Sequence, residues 1–402
     1  GDIFERIRAN YVEEVGAGEL VEAAIDGMLT SLDPHSSYLS PDDYEEMQVQ
    51  TRGEFGGLGI EVTMEDGFVK VVSPIDGTPA AEAGIEAGDF ITQVDGESLM
   101  GTTLDEAVDL MRGAVGSELT ITLVRDGVQD PFDVTVTRDK IELTAVRSRV
   151  VGSSVVLRVT TFNDQTSANV EDELKTRIDE IGGLDSITGV VIDLRNNPGG
   201  LLTQAIEVSD AFLDEGEIVS TRGREPQDSD RFLAEDGDLV SGKPIVVLVN
   251  GGSASASEIV AGALQDLERA IVVGTPSFGK GSVQTVIPLG GDGAMRLTTA
   301  RYYTPSGRSI QALGISPDII VDQPPAEARG DESGDDDGAP TRSEASLPGR
   351  LDNDSLTEEQ RRQIEADSAR AREVAQLRAE DYQLAYAVDV LRGLSTLGAA
   401  AE

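Results

Sequence analysis

Gly189-Val190-Val191-Ile192-Asp193-Leu194 runs straight into Arg195-Asn196-Asn197-Pro198-Gly199-Gly200, and this stretch decides the fold. A short continuous apolar run is the pattern of a parallel strand covered on both faces. The turn after it holds a proline and two glycines, and helical spacing resumes from Leu201 to Phe212. The unit recurs downstream. A strand at Ile245 to Val249 enters Asn250-Gly251-Gly252-Ser253-Ala254-Ser255-Ala256-Ser257-Glu258, followed by a helix from Ser257 to Leu267. A strand from Ala270 to Val273 then leads to the loop Phe278-Gly279-Lys280-Gly281-Ser282. Upstream, Val155 to Val159 reads as a strand and Ser167 to Ile181 as a helix. This alternation over residues 141–322 predicts an α/β core.

On either side the pattern changes. Residues 53–140 read as a compact β-rich module inserted before the core. It holds short strands, a proline-started and glycine-stopped helix around Pro79 to Gly84, a helix from Thr103 to Met111 and a closing strand pair. Residues 1–52 read as a helical segment, because Ile3, Ile7 and Tyr11, then Leu20, Ala23, Ala24, Met28 and Leu29, recur at helical spacing. Residues 323–354 contain Pro324-Pro325 and the acidic run from Asp331 to Asp337, which cannot bury a core and read as a disordered linker. That run lacks the ligand spacing of a calcium-binding loop. Residues 355–402 predict a charged helix from about Thr357 to Leu391. Its Leu384, Ala387, Val388 and Leu391 form a stripe that must pack on the body or on a partner.

Composition narrows the chemistry. There is one histidine, His35, and no cysteine. Thiol catalysis and disulfides are excluded, and a zinc site of His and Cys ligands has too few donors. A Ser-His-Asp triad would have to recruit His35 across more than 200 residues. Only five lysines occur, and one of them, Lys280, sits between glycines. The net charge of −42 argues against nucleic acid and anionic membranes as partners. A surface built for solubility or salt tolerance explains the charge most simply. Attraction of basic substrate tails is the sharper alternative.

Ser255 and Lys280, on two tight loops, suggest a hydrolase whose base is an amine. A lysine of ordinary pKa, about 10.4, is protonated at neutral pH and serves as a base only when desolvated. Gly279 and Gly281 permit close backbone approach around Lys280, Phe278 and Val283 are apolar, and no acid lies between Glu268 and Asp292. Gln284, four positions on, can orient the amine without adding charge. Ser255 lies where a strand meets a helix, next to unpaired N–H groups, so the Ala256 N–H is a candidate oxyanion donor. Gly199 or Gly200, at the equivalent turn of the preceding unit, offers a second. Each motif has a plainer reading. The serine run makes a small-residue helix cap, and the lysine loop an ordinary or phosphate-binding loop. The phosphate-loop pattern fails here because Gly281 follows Lys280.

Together these stretches resemble the carboxyl-terminal processing (tail-specific) proteases, over residues 1 to about 320. Ser253-Ala254-Ser255-Ala256-Ser257-Glu258-Ile259 is similar to the family's nucleophile motif and Phe278 to Gln284 to its lysine motif. Asp193 to Gly200 is similar to its oxyanion segment, and Leu32-Asp33-Pro34-His35-Ser36-Ser37-Tyr38 to its N-terminal segment. The resemblance implies a serine endopeptidase with a crotonase/ClpP-like α/β protease core. Ser255 is then the nucleophile, Lys280 the base, Gln284 its orienting partner, and His35 a structural residue. Residues 53–140 resemble the family's PDZ domain, with Gly57-Leu58-Gly59-Ile60 as the loop that captures a chain-terminal carboxylate. Leu58 and Ile60 are expected to line an apolar slot for the terminal side chain.

The implied partners are protein or peptide substrates with free, apolar, unstructured C-termini. A homo-oligomer through the terminal helices and an adaptor protein are left open, and no cofactor or metal is expected. The implied setting is the periplasm or a membrane-anchored place in the cell envelope, with a targeting segment that this sequence does not include. Arg112, in Leu110-Met111-Arg112-Gly113, is a candidate gating latch, although a solvated helix-end arginine is the simpler reading. Two other functions compete: a catalytically silent PDZ scaffold or chaperone, and a crotonase-like acyl-CoA enzyme. Intact Ser255, Lys280 and Gln284 speak against the first. The inserted module speaks against the second, because a small acyl thioester has no use for it.

Overall fold

The computed structural model describes residues 1–65, 67–75, 77–290, 293–324 and 376–399. The acidic linker and the first half of the expected final helix lie outside them. The described chain forms two compact units, Gly1–Ser40 with the residues from Ala145 onward, and Pro41–Thr144.

The first unit is built on a six-stranded sheet. Its strands follow the order Val146–Val151, Ser154–Val159, Gly189–Asp193, Ile245–Val249, Ile271–Gly274, Ile319–Ile320, all parallel except the first pair. Gly189–Asp193 and Ile245–Val249 are buried at every position. Alternate side chains explain why. Val190, Ile192, Val247 and Val249 point toward the helices Thr166–Ile181, Leu202–Asp210 and Ala256–Asp266. Val191, Val246 and Leu248 point the other way, onto the helix Tyr382–Ala399. Apolar cover on both faces is what makes such strands continuously apolar. The predicted stripe Leu384, Ala387, Val388 and Leu391 is buried against this second face.

A second sheet of five strands escaped the sequence reading, which saw only alternating strands and helices. Ser37–Leu39, Ala294–Tyr303, Glu217–Arg222 and Ser229–Leu233 lie side by side, and Ser282–Pro288 pairs with Ala294–Tyr303. Ser282–Pro288 and Ala294–Tyr303 are half-exposed, and Glu217–Arg222, though buried at Ile218 to Thr221, mixes Ser and Thr with Ile and Val, so none of the three has a continuous apolar run. The expectation that residues 1–52 form a helical segment is corrected in part. Asp2–Asn10, Ala17–Thr30 and Pro41–Arg52 are helices, but Ser37–Leu39 is a strand, paired with Ala294–Arg296.

The second unit holds a sheet in the order Ile60–Glu65, Phe68–Pro74, Phe90–Val94, Glu118–Val124, Phe132–Thr137. The helix Leu104–Met111 packs on it through Ala107 and Met111, capped by Thr103, whose Oγ accepts from the Glu106 N–H. A short pair, Glu54–Gly57 with Asp139–Glu142, closes the base of the unit. This unit begins at Pro41, so it includes the helix Pro41–Arg52 that the sequence reading assigned to the preceding segment.

Candidate active site

Three serines share the loop before the helix Ala256–Asp266, and the structure separates their roles. Ser253 and Ser257 are fully buried. Their hydroxyls donate to the Leu194 carbonyl at 2.8 Å and the Asn197 carbonyl at 3.0 Å. Both stitch the loop to the Asp193–Gly200 segment. Ser255 differs in backbone and in partners. Its φ is +56° and ψ −113°, a conformation that costs a non-glycine residue of order 1–3 kcal/mol and survives only where its surroundings enforce it. The Tyr302 hydroxyl lies beside its side chain and bonds it. Burial pushes that phenol up to about 12, so it stays neutral through the physiological range.

The enforcing group is Glu258, three residues on and completely buried. One carboxylate oxygen accepts from the Ser255 N–H at 2.8 Å and the Lys280 N–H at 2.9 Å. The other accepts from the Ser277 hydroxyl at 2.5 Å and the Gly279 N–H at 2.7 Å. A single anion thus ties the serine loop to the lysine loop. The Phe278 N–H adds a bond to the Ser253 carbonyl at 3.0 Å. Sequence reading found both loops and missed their bracket, although Ser255-x-x-Glu258 is the spacing of a capping box.

Close approach also explains the glycines. A Cβ on Gly281 would stand 2.3 Å from the Gln311 nitrogen, so the lysine loop can lie against that segment only without one. The Lys280 amine is held below its ordinary value by burial and by the Arg296 charge, with Glu258 pulling the other way. Two expectations about this environment are corrected. Phe278 is 62% exposed and does not wall the lysine off, and an acid from the neighbouring helix does reach the loop.

The oxyanion candidates divide. Gly199 packs directly on the Ser255 turn, since a Cβ there would meet Ser255 Cβ at 2.8 Å. Its N–H, however, already donates to Asn197 Oδ1 at 2.9 Å. The N–H groups of Ala256 and Gly200 donate to no acceptor among the described residues. Asn197 is itself fixed through Nδ2 to the Val159 carbonyl, and the Ala254 N–H reaches the Asn197 carbonyl. Arg195, 9% exposed, anchors the base of this segment. It is clasped by Asp193 and, from the last helical segment, by Asp381 and Gln383. Burial alone would lower its pKa, but the two carboxylates outweigh that and raise it.

Gln284 lies beside the lysine loop, and its amide nitrogen donates to Ser282 Oγ at 2.9 Å and Thr298 Oγ1 at 3.3 Å. His35 sits close enough for the Lys280 charge to act on it. Burial, then Lys280, lower its pKa, and Asp33 opposes them. The structure therefore brings the N-terminal turn to the lysine loop, which sequence distance concealed.

In the second unit, Gly59 has φ +75°, and a Cβ would strike Thr78 at 2.3 Å. The N–H groups of Leu58 and Gly59 have no acceptor among the described residues, while their carbonyls are taken by Ala80 and Ile75. Leu58 is 3% exposed and belongs to the unit's core, so its side chain does not form the open slot expected of it. Ile60–Glu65 is an edge strand of the sheet. Arg112 lies over the Phe55 ring at 4.9 Å and 3.9 Å from Asp109, within the same unit.

Comparison with known proteins fits this architecture. A model of peptidase family S41 matches residues 154–321, one of a PDZ domain residues 70–125, and one of the activating protease CtpB N-terminal domain residues 1–43. A carboxy-terminal-processing protease of Bartonella bacilliformis is 59% identical over 324 residues, covering 81% of this chain and 74% of the relative. A probable CtpA-like serine protease of Staphylococcus aureus is 35% identical over 327 residues, covering 80% of this chain and 64% of its own length. Among solved structures, the photosystem II D1 C-terminal processing protease is 30% identical, covering 80% of this chain and 92% of that one, with a TM-score of 0.46. The fold is thus that of a serine-type peptidase carrying a PDZ domain. The chain belongs to peptidase family S41, among the carboxy-terminal-processing proteases.

Proposed function

We propose that this peptidase cleaves near unstructured, apolar C-terminal tails, with Ser255 as nucleophile and Lys280 as base. The observation that carries this reading is the Glu258 bracket, which hangs the amides of both residues on one oxygen. Neutral Lys280 takes the proton from Ser255 Oγ as that oxygen bonds to the scissile carbonyl carbon. The developing oxyanion accepts from the Ala256 and Gly200 N–H groups. The ammonium then returns the proton to the leaving amine as the C–N bond breaks. Water, deprotonated by the same amine, then adds to the acyl carbon, and the ammonium returns that proton to Ser255 Oγ as the ester C–O bond breaks. Gln284 orients the amine. The partnering of a mostly parallel sheet with a second antiparallel sheet supports a crotonase/ClpP-like description of the core.

Tail capture belongs to the PDZ domain. The unpaired N–H groups of Leu58 and Gly59 suit a terminal carboxylate, and the edge strand Ile60–Glu65 can accept the tail as a further strand. Half-buried Ile60, Val62 and Val108 provide apolar wall. A place in the cell envelope suits such substrates; among the described residues no helix is long and apolar enough to cross a membrane. The test is mass spectrometry of paired peptides, free-acid and C-terminally amidated, after incubation with wild type and Ser255→Ala. Wild type should cut the free acid faster, and Ser255→Ala should cut neither. Equal cleavage of the two peptides would remove the carboxylate-capture reading, and cleavage by Ser255→Ala would remove the nucleophile.

A further inference from the structure

The Asp33-Pro34-His35-Ser36 turn is more than 240 residues from Lys280 in the chain, yet it joins the residues around Gln284 through a continuous hydrogen-bond chain. Resting on the Ser255–Lys280–Gln284 reading above, we propose that Asp33 and Thr298 are positioning residues that fix which end of the Gln284 amide faces the lysine. An amide can present either its oxygen or its nitrogen, and its hydrogen-bond partners decide which. Here the polarity can be traced from one end.

Asp33 is an acceptor. Although burial pushes its pKa up, hydrogen bonds from the Ser36 hydroxyl, the His35 N–H, Thr298 and the Ser36 N–H outweigh that and hold it below the usual carboxylate range. An ionised carboxylate can only accept, so the Thr298 hydroxyl must donate to it, at 3.1 Å from Oδ1. With its hydrogen spent, Thr298 Oγ1 can only accept from Gln284, which donates Nε2–H across 3.3 Å. The second Nε2 hydrogen goes to Ser282 Oγ at 2.9 Å. Both amide hydrogens are used, and Oε1 has no donor among the described residues. It is left to accept from the lysine amine, turning the nitrogen lone pair toward Ser255.

The turn is held to its task from both sides. Ser36, 1% exposed, donates to Asp33 Oδ2 at 2.7 Å and accepts the Thr298 N–H at 3.1 Å. Arg296 reaches the His35 carbonyl at 3.2 Å and Ser37 Oγ at 3.0 Å, beside the paired strands Ser37–Leu39 and Ala294–Tyr303. Among the described residues, Arg296, Glu258, His35 and Asp33 are the charged or titratable groups that act on the lysine or belong to this chain, and the Tyr302 phenol lies beside Ser255. An Asp33→Asn change removes a negative charge from that set, which cannot raise the lysine pKa.

The experiment is a double-mutant cycle on the full chain, with β-casein and a fluorogenic tail peptide as probes. Asp33→Asn and Thr298→Val should each lower kcat by about ten- to a hundred-fold, within the ~10²–10⁴ that a positioned base supplies. KM should change little, and the alkaline-rising limb of kcat/KM should stay in place or move to lower pH. Thr298→Ser, which keeps the hydroxyl, should recover most of what Thr298→Val loses. In a Gln284→Ala background, Asp33→Asn should cost nothing further, because the two act through one amide. Additive losses in that background, a limb moved upward, or equal activity of Thr298→Val and Thr298→Ser would each overturn the proposal. Ser255→Ala and Lys280→Ala run alongside. If either remains active, the underlying dyad is wrong; if both are silent, any failure belongs to the relay alone.

Discussion

Replacing Glu258 tests the site's architecture most directly. Its buried carboxylate accepts four hydrogen bonds, three from backbone N–H groups that cannot reverse and one from the Ser277 hydroxyl, which can. In Glu258→Gln the amide nitrogen must face one pair of donors. Facing Ser255 and Lys280, it opposes two fixed N–H groups. Flipped, it opposes only the Gly279 N–H, while Ser277 turns to become an acceptor. The flipped form is therefore the better one, and it leaves one buried donor unpaired. With the weakening of the remaining bonds once the charge is gone, the cost is about 2–3 kcal/mol. For a unit of this size that lowers Tm by about 5–10 °C. Glu258→Ala strands all four donors and should cost about 4–5 kcal/mol, less whatever water entering the void recovers. The two loops should also lose register, so kcat should fall more than stability alone explains, with KM nearly unchanged. Thermal unfolding and steady-state kinetics on one preparation give both readings. A Glu258→Gln protein with wild-type Tm and kcat would refute the bracket.

The remaining predictions follow the other contacts. Ser255→Ala should abolish turnover and leave Tm unchanged or higher, since the strained turn persists without its hydroxyl; survival of activity in a casein digest would reassign the nucleophile. Lys280→Met should abolish turnover and raise Tm. A lysine whose folded pKa is lowered destabilises the fold wherever the unfolded chain would bind the proton, so the gain should be largest at neutral pH and shrink as pH approaches ~10.4. Differential scanning fluorimetry across pH reads this, and a gain that grows with pH would contradict it. Gly59→Ala places a Cβ on Thr78 at a positive φ and should raise KM for free-acid tails while sparing amidated ones. Asp381→Ala strips a partner from buried Arg195 and should cost about 3–5 kcal/mol in chemical denaturation, whereas an unchanged midpoint would show that Asp193 alone suffices.

What could be read in the sequence was local. The buried strands, the serine loop and the lysine loop declare themselves within a dozen residues each, because continuous apolar runs and glycine-flanked turns are short-range signals. The strands Glu217–Arg222 and Ala294–Tyr303 gave no such signal, since each mixes Ser, Thr or Arg with its apolar residues and their placement is set by pairing with one another and with Ser37–Leu39. The same limit hid the bond from Thr298 to Asp33 and the charge of Arg296 beside Lys280. Glu258 drew no reading of its own, because nothing nearby in the chain reveals which distant amides its carboxylate will meet. Leu58 shows the converse. Its place in the resembled loop motif was plain, but only packing reveals that its side chain faces inward, into the core of its unit.

The order in which the chain leaves the ribosome gives the Arg195 clasp a temporal meaning. Residues 37 to 320 can emerge and pair, yet one face of the central sheet stays bare until the segment carrying Asp381, Leu384 and Leu391 has followed. Until then Arg195 lacks half its carboxylate partners, just where the strand turns toward Gly200. The second face of the sheet and the Arg195 clasp thus close only once the segment around Asp381 has followed the rest of the core out of the ribosome.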